Sequence, residues 1–335
     1  MTEPLEVRVL RGGRRESRHE VHAVAVRADG DAASSYGDPD LEAYWRSSMK
    51  PFQALPLVED GVTSALKMTA RELALCCASH VGSRAHLEVV RGLLARLELD
   101  EADLACGPHR PFDDDEADRI LREGGSYGRL HNNCSGKHAG MLALSLHHGW
   151  GPDGYHAFDH PVQARIRSSL DRWIDGDVDS LGWGVDGCGV PTPSLPLRQM
   201  ALACARLGRA ARRAEDAPAA VVGAMTEHPH LVSGPGRPVT RIMEATSGRI
   251  LAKEGAEGVF CMAVPAEDLG VALKVVDGAG RARTPAALHV LSERGVLGPE
   301  DEGSLEELRC VVLRNTRDEE VGRIVTSHAA EGAVR

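Results

Sequence analysis

The sequence is poor in aromatic residues, because Phe, Trp and Tyr together make up 4% of its 335 residues. Long apolar runs are also missing, and none reaches the length needed to span a bilayer. A core therefore has to be built mainly from Leu, Val, Ala and Ile, and a chain of this length can bury one without disulfides or metal ions. The composition, 42% hydrophobic with many glycines and prolines, is typical of a globular, loop-rich protein.

An excess of positive charge is also missing, since 39 Lys and Arg residues are outnumbered by 49 Asp and Glu and the formal net charge is -10. Binding to nucleic-acid phosphates requires a basic surface, so we expect neither DNA nor RNA as a partner. The first residues, MTEPLEVRVLRGG, contain no hydrophobic signal core, and we expect a cytoplasmic protein without membrane association. Eight scattered cysteines, in contexts such as LALCCAS, predict reduced and buried thiols.

Three common site motifs are absent: a Gly-rich dinucleotide loop, a phosphate-binding loop and an H-E-x-x-H zinc helix. Strand-like alternation occurs near both ends of the chain, and helical patterns fill the part between them. This order predicts an α+β fold or a mixed α/β sandwich. We predict a single domain over 1–335, with a sheet from about 5–35 and 255–330 and a helical insertion over about 65–250.

Local signals add three further predictions. Thr69 and Glu72 form a capping box at the start of a helix. A helical stretch is predicted around Leu41–Val62. The segment WGVDGCGVPTPSLPL, which contains three prolines and three glycines, is predicted to be irregular.

The motif SSMK places Ser47 and Lys50 three residues apart, on one face of a helix. A helix N-terminus favours negative charge on a serine oxygen, and a desolvated lysine can take the serine proton. Penicillin-recognising serine hydrolases have this S-x-x-K pattern, followed by a second serine and a later K-T-G; Ser79 and Lys253 stand in that order. The structural alternative makes Ser47 a helix cap, Lys50 a surface cation, Ser79 part of a turn and Lys253 a solvated residue before a strand.

Two further motifs suggest soft-metal chemistry, with Cys134 and Lys137 in HNNCSGKHAG and Cys188 in DGCGVPTP. Two thiolates with nitrogen donors suit Zn²⁺, and spacing by itself nominates His131 or His138 as the nitrogen ligand. Because no C-x-x-C pair is present, the alternative is that both cysteines are simply buried beside polar loops.

Taken in order, several segments resemble the rhizobial-type L-asparaginase II family: RSSMKPFQALP, SHVGSRAH, CGPH, HNNCSGKHAGML, DGCGVPTPSLPL and KEGAEGV. The resemblance extends from VRVLRGG to about VDGAGRAR. It implies hydrolysis of L-asparagine to L-aspartate and ammonia by a homodimer. It also implies a fold similar to the serine β-lactamases, an α/β/α sandwich with a mostly antiparallel sheet flanked by helices and a helical subdomain.

The resemblance also implies two Ser–Lys couples, Ser47 with Lys50 and Ser79 with Lys253. Either serine can be the nucleophile. The first-turn position favours Ser47, in which case Ser79 passes a proton to the departing ammonia, whereas an apolar pocket would activate Ser79 equally well.

The zinc ligands implied by the resemblance are Cys134, Lys137 and Cys188. The resemblance thus replaces the histidine nominated by spacing with Lys137. A lysine binds zinc only as the free amine, and the charge of the metal lowers its pKa toward that state. We assign substrate binding to Arg46, His138 and Asp186, and Asp186 falls where the family has an acidic residue near the metal.

The sequence departs from the expected pattern at Pro238-Val239-Thr240, where the family has a more polar stretch. Two other functions stay open. One is another amidase or β-lactam-type hydrolase on the same scaffold, although Glu254 replaces the threonine of K-T-G and counts against β-lactams. The other is a zinc-stabilised binding protein without catalysis, for which zinc would be closed in by four protein ligands.

Overall fold

The alternating residues at the start of the chain form strands in the computed structural model, which describes residues 2–328. β1 covers Leu5–Arg11 and β2 covers Arg14–Arg27, and the two pair antiparallel. β3 covers Ala32–Tyr36 and pairs with β2. The inward-facing side chains of β1, such as Val7, are fully buried, as the period of two predicts.

The remaining strands are β4 Glu42–Tyr44, β5 Gly182–Val185, β6 Pro191–Pro196, β7 Leu251–Glu254, β8 Val259–Val264, β9 Leu269–Val275, β10 Val311–Arg314 and β11 Glu320–His328. The helices are α1 Lys50–Glu59, α2 Val62–Ala65, α3 Ala70–Cys76, α4 Arg84–Arg96, α5 Asp114–Arg122, α6 Ser135–His147, α7 Pro161–Leu170, α8 Leu197–Arg212, α9 Asp216–Glu227, α10 Pro229–Val232, α11 Pro238–Ala245, α12 Gly280–Glu293 and α13 Pro299–Arg309.

Two compact units make up the chain. The first, here called the sheet unit, comprises Met1–Ser48, Ser194–Arg209 and Arg241–Arg335. The second, here called the helical unit, comprises Met49–Pro193 and Ala210–Thr240. The assignment of 1–335 to a single domain stays a prediction.

The sheet unit contains an antiparallel sheet in the order β10-β11-β1-β2-β9-β8-β7, with β3 also paired to β2. Every residue of β8 is buried, which is typical of a strand covered on both faces. Gly270 on β9 lets α8 approach closely, because a Cβ there would overlap the Ala201 carbonyl oxygen. α12 also packs on this sheet. The predicted combination of antiparallel sheet and helices is therefore confirmed.

Two local predictions were wrong, and one structural alternative fails. The stretch predicted as one helix from Leu41 begins with β4, whose Ala43 pairs with Leu195 of β6. β6 lies in the segment predicted to be irregular. Its prolines do not prevent a strand, because the fixed φ of proline is compatible with an extended chain. Lys253 lies inside β7 and is 2% exposed, so the interpretation as a solvated residue before a strand fails.

Other local predictions are confirmed. The Thr69–Glu72 capping box is formed at the start of α3. The eight cysteines are free thiols, and all except Cys310 are buried. No helix between residues 2 and 328 combines the length and apolar character needed to cross a membrane.

Candidate active site

Lys50 opens α1, and its side chain is 0% exposed. Ser47 lies in the preceding short 3-10 helix, Arg46–Met49, within the sheet unit, and is half-buried. Met49 occupies the N-cap position of α1 and makes no side-chain cap. The interpretations of Ser47 as a helix cap and of Lys50 as a surface cation are therefore wrong.

The Lys50 amine binds groups from two distant parts of the helical unit. Its Nζ lies 2.5 Å from the Ala78 carbonyl oxygen, 2.9 Å from Ser79 Oγ and 3.3 Å from Cys134 Sγ. These three partners match the hydrogen-bonding capacity of a lysine head group. The structure thus forms a Ser–Lys couple from Lys50 and Ser79, and the half-buried Ser79 is the more accessible member.

Backbone hydrogen bonds hold Ser79 in place just beyond the end of α3. Its N–H donates to the Val232 carbonyl at 2.9 Å, and the next N–H, of His80, donates to the Asn133 carbonyl at 3.2 Å. The segment that carries Ser79 is therefore fixed from two sides by regions far away in the sequence.

Two glycines explain why α6 begins next to Ser79. A Cβ at Gly136 would overlap the Leu75 carbonyl oxygen of α3, and one at Gly140 would lie 2.9 Å from Cys76 Sγ. The missing side chains let the two helices approach at backbone distance. Close approach in turn brings Cys134, at the N-terminus of α6, within reach of Lys50.

Gly136→Ala is therefore expected to lower the free energy of unfolding by about 2–3 kcal/mol, since the added methyl group meets backbone rather than a movable side chain. Gly92→Ala is the matched control, because Gly92 lies in α4 with no atom within 4 Å of an added Cβ. That variant should gain about 0.5–1 kcal/mol from helix propensity. Urea unfolding of both proteins measures the difference, and equal stabilities would contradict the packing argument.

Two sulfur atoms of the helical unit, those of Cys188 and Cys134, interact with a second lysine. Lys137 is 3% exposed, and its Nζ donates to Cys188 Sγ at 2.9 Å. The Cys134 thiol interacts with the same sulfur and, together with Lys137, holds the pKa of Cys188 far below its ordinary value although burial opposes this. Burial alone would lower the pKa of Lys137, but the Cys188 and Cys134 sulfurs and the Asp186 carboxylate raise it overall.

His138 follows Lys137 on α6 and is fully buried. Its Nδ1 lies 2.6 Å from the Tyr155 hydroxyl, which accepts a hydrogen bond from the Ala105 N–H. Its Nε2 is buried without a hydrogen-bond partner among the described residues. Burial lowers the pKa of His138 to about 4, with the Cys188 sulfur acting in the opposite direction. His131, the other histidine nominated by spacing, accepts a hydrogen bond from the Gly128 N–H instead.

Asp186 lies in the turn that carries Cys188. Its Oδ2 is 3.9 Å from Cys188 Sγ, and its Oδ1 accepts a hydrogen bond from the Gly187 N–H at 2.9 Å. Gly189 takes a φ of +92°, a conformation that favours glycine and closes the turn. The carboxylate is half-exposed, so Asp186 is the more accessible of the two groups.

The donor set here consists of two sulfurs and one amine. Thiolates are common ligands of Zn²⁺, and a deprotonated amine would add a nitrogen donor. No group of three or more His, Cys, Asp or Glu side chains in residues 2–328 is arranged to hold a metal ion. The chemistry of Cys134, Cys188 and Lys137 fits zinc in kind, and the assignment of these ligands stays a prediction.

The other predicted residues lie in the sheet unit. Arg46 adopts the left-handed region with a φ of +53°, uncommon for a residue with a side chain. Lys253 is held within the unit, since its carbonyl accepts the Ser48 hydroxyl at 3.0 Å and its Nζ donates to the Glu254 carbonyl at 2.8 Å. The roles of Arg46, Ser47 and Lys253 stay predictions.

Four residues of these networks received no role from the sequence. His80 and Ser135 hydrogen-bond each other, Ser48 binds the Lys253 carbonyl, and Tyr155 binds His138. His80, Ser135 and Ser48 lie within the polar motifs, and this position is the sequence feature that could have marked them as candidates. Tyr155 lies in a segment without any motif.

Comparison with known proteins gives a family match over nearly the whole chain. A model of the L-asparaginase II family matches residues 7–326. No curated protein matches. A solved β-lactamase from Sphaerobacter thermophilus is 14% identical over 84% of this chain and 94% of its own, with a TM-score of 0.41. A penicillin-binding protein homologue from Pyrococcus abyssi is 12% identical over 84% and 74%, with a TM-score of 0.35. At these scores, neither structure carries a functional argument.

Proposed function

Because the chain belongs to the L-asparaginase II family, whose membership implies a hydrolase acting on an amide, we propose that it converts L-asparagine and water to L-aspartate and ammonia. The observation that carries this proposal is the hydrogen bond between buried Lys50 Nζ and half-buried Ser79 Oγ at 2.9 Å. A hydroxyl next to an amine that can take its proton is the arrangement required for nucleophilic catalysis.

The proposed reaction is a two-step acyl transfer. Ser79 Oγ attacks the side-chain amide carbon of asparagine while its proton passes to Lys50. Lys50 then gives that proton to the departing nitrogen, the C–N bond breaks, and an aspartyl ester of Ser79 remains. Water attacks the ester, Lys50 takes a proton from the water and returns it to Ser79, and aspartate leaves.

The surroundings of Lys50 support this role. In its neutral form the amine accepts from the Ser79 hydroxyl and still has two hydrogens, which suit the Ala78 carbonyl at 2.5 Å and Cys134 Sγ at 3.3 Å. The lone pair then accepts the Ser79 hydroxyl, while the Cys134 thiol donates its own hydrogen to Asn133 Oδ1 at 3.2 Å. Ser47 and Lys253 are further candidates for the couple, and their variants belong in the same assays.

We also propose that Cys134, Lys137 and Cys188 hold a zinc ion. When bound, zinc supplies a positive centre that orients the α-carboxylate and amine of the substrate. Lys137 Nζ donates a hydrogen bond to Cys188 Sγ at 2.9 Å. Both groups have to be deprotonated to bind zinc, so metal binding would release protons. Arg46, His138 and Asp186 are proposed to bind substrate, and the homodimer and cytoplasmic location implied by the resemblance complete the proposal.

The test is ammonia release from L-asparagine by the purified protein, with and without a chelator. We expect turnover of asparagine, no hydrolysis of a chromogenic β-lactam, and slower turnover once the chelator has removed the metal. The metal content of Cys188→Ser, measured by elemental analysis, should fall. A protein that binds zinc but releases no ammonia from asparagine or glutamine would support the non-catalytic alternative.

A further inference from the structure

A pair of buried histidines lies directly beside the Ser79 segment. The rings of His80 and His86 stack with centroids 4.9 Å apart and planes 15° from parallel. His80 is 0% exposed and His86 is 1% exposed. Neither belongs to the serine–lysine couple nor to the sulfur group, yet both are fully hydrogen-bonded.

The bonds of His80 determine which ring nitrogen carries the proton. The Gly82 N–H donates to Nδ1 at 3.1 Å, so Nδ1 is an acceptor. Nε2 lies 2.9 Å from Ser135 Oγ, and that hydroxyl donates to the Leu130 carbonyl at 2.9 Å. Nε2 therefore holds the hydrogen and donates it to Ser135. Burial keeps the pKa of His80 well below its ordinary value, which agrees with a neutral ring.

We propose that His80 is a positioning residue for Ser79: its imidazole joins the turn after Ser79 to the N-terminal turn of α6, and so fixes the Ser79 hydroxyl against Lys50. This inference rests on the proposed function only in taking Ser79 as the reacting hydroxyl.

His80 connects the segment that carries Ser79 to the start of α6, which carries Cys134, and Lys50 contacts both. Its ring is attached one residue after Ser79, and its partner Ser135 follows directly on Cys134, which also contacts Lys50. The His80 N–H adds a second bond to the same region through the Asn133 carbonyl. Lys50 contacts both Ser79 and Cys134. His80, which follows Ser79, hydrogen-bonds Ser135, which follows Cys134, so the two segments are joined at two successive positions.

A displacement of Ser79 by about 1 Å is enough to reduce the rate roughly 100-fold. Loss of the His80–Ser135 bond removes the side-chain constraint on the turn, so Ser79 can shift relative to Lys50, while the chemical groups of both residues stay unchanged. The expected signature is thus a lower kcat with little change in KM, because the substrate contacts themselves are unaltered.

The experiment compares His80→Leu, His80→Gln and Ser135→Ala with wild type. We expect kcat for asparagine to fall about 10- to 100-fold in His80→Leu and Ser135→Ala, with KM within about threefold of wild type. His80→Gln keeps an N–H that can reach Ser135, so it should recover part of the rate. Ser135→Ala removes only a hydroxyl, which keeps the test informative if His80→Leu folds poorly.

His86→Leu is the matched control, because it removes the stacked, equally buried ring whose bonds go to Ser83 and the His230 carbonyl. It should lower the melting temperature without changing kcat by more than about twofold. The rate of Ser79 labelling by a fluorophosphonate, located by mass spectrometry, provides a readout that does not depend on asparagine. Slower labelling in the His80 and Ser135 variants supports positioning even if asparagine is not the substrate. If kcat and labelling fall no further than in His86→Leu, the proposal is overturned.

Discussion

Ser79→Ala is expected to reduce ammonia release from L-asparagine by about 10⁴-fold or more, because it removes the hydroxyl that forms the proposed ester intermediate. The fold should be retained, since the hydroxyl is half-buried and the Ser79 N–H keeps its bond to Val232. Steady-state kinetics and a thermal melt measure both effects. Ser64→Ala, at an exposed position of α2, is the matched control and should retain wild-type kinetics.

Trapping the intermediate gives the more direct result. Acid quenching during turnover should leave an aspartyl adduct on the peptide that contains Ser79, and Ser79→Ala should lack it. Ser47→Ala is quenched in parallel, because the sequence allowed either serine to attack. An adduct on Ser47, with turnover retained in Ser79→Ala, would mean that Ser47 is the nucleophile and would contradict the assignment of Ser79.

The sequence predicted those helices and strands that are marked by local patterns, such as a helix cap or apolar alternation. The Thr69–Glu72 box defines the start of α3, and the apolar alternation in β1 and β2 appears at the predicted positions. β6 was missed because its strand character depends on pairing with β4, a tertiary interaction that overrides the irregular tendency of its prolines. β7 was missed because four residues are too few to show a period.

The candidate site divides in the same way. Motifs located Lys50, Ser79, Cys134, Lys137 and Cys188, whose side chains converge in the helical unit. The hydrogen-bond partners of these side chains could not be predicted from the sequence. A bond such as that of His80 to Ser135 joins residues 55 positions apart and leaves no spacing pattern. Gly136 illustrates the reason: the reach of Lys50 to Cys134 depends on how closely α6 packs on α3, which only the assembled helices determine.

Lys50→Met is expected to lower kcat by about 10³-fold, since a base that takes the Ser79 proton contributes on that order. Methionine fills a similar volume, but it leaves the Ala78 carbonyl, Ser79 Oγ and Cys134 Sγ without the Nζ partner. The free energy of unfolding should therefore fall by about 1–3 kcal/mol. Lys67→Met, at an exposed position, controls for the substitution itself and should change neither quantity.

Lys50→Arg separates proton transfer from simple charge. A guanidinium keeps the positive charge and the donors, but it does not lose its proton in proteins and so cannot act as the base. We expect Lys50→Arg, assayed below its own melting temperature, to lose activity to the same extent as Lys50→Met. Activity within about tenfold of wild type in the arginine variant would mean that the residue at position 50 acts by stabilising negative charge on Ser79. In that case the proton acceptor would have to be sought elsewhere, with Lys253 the first residue to test.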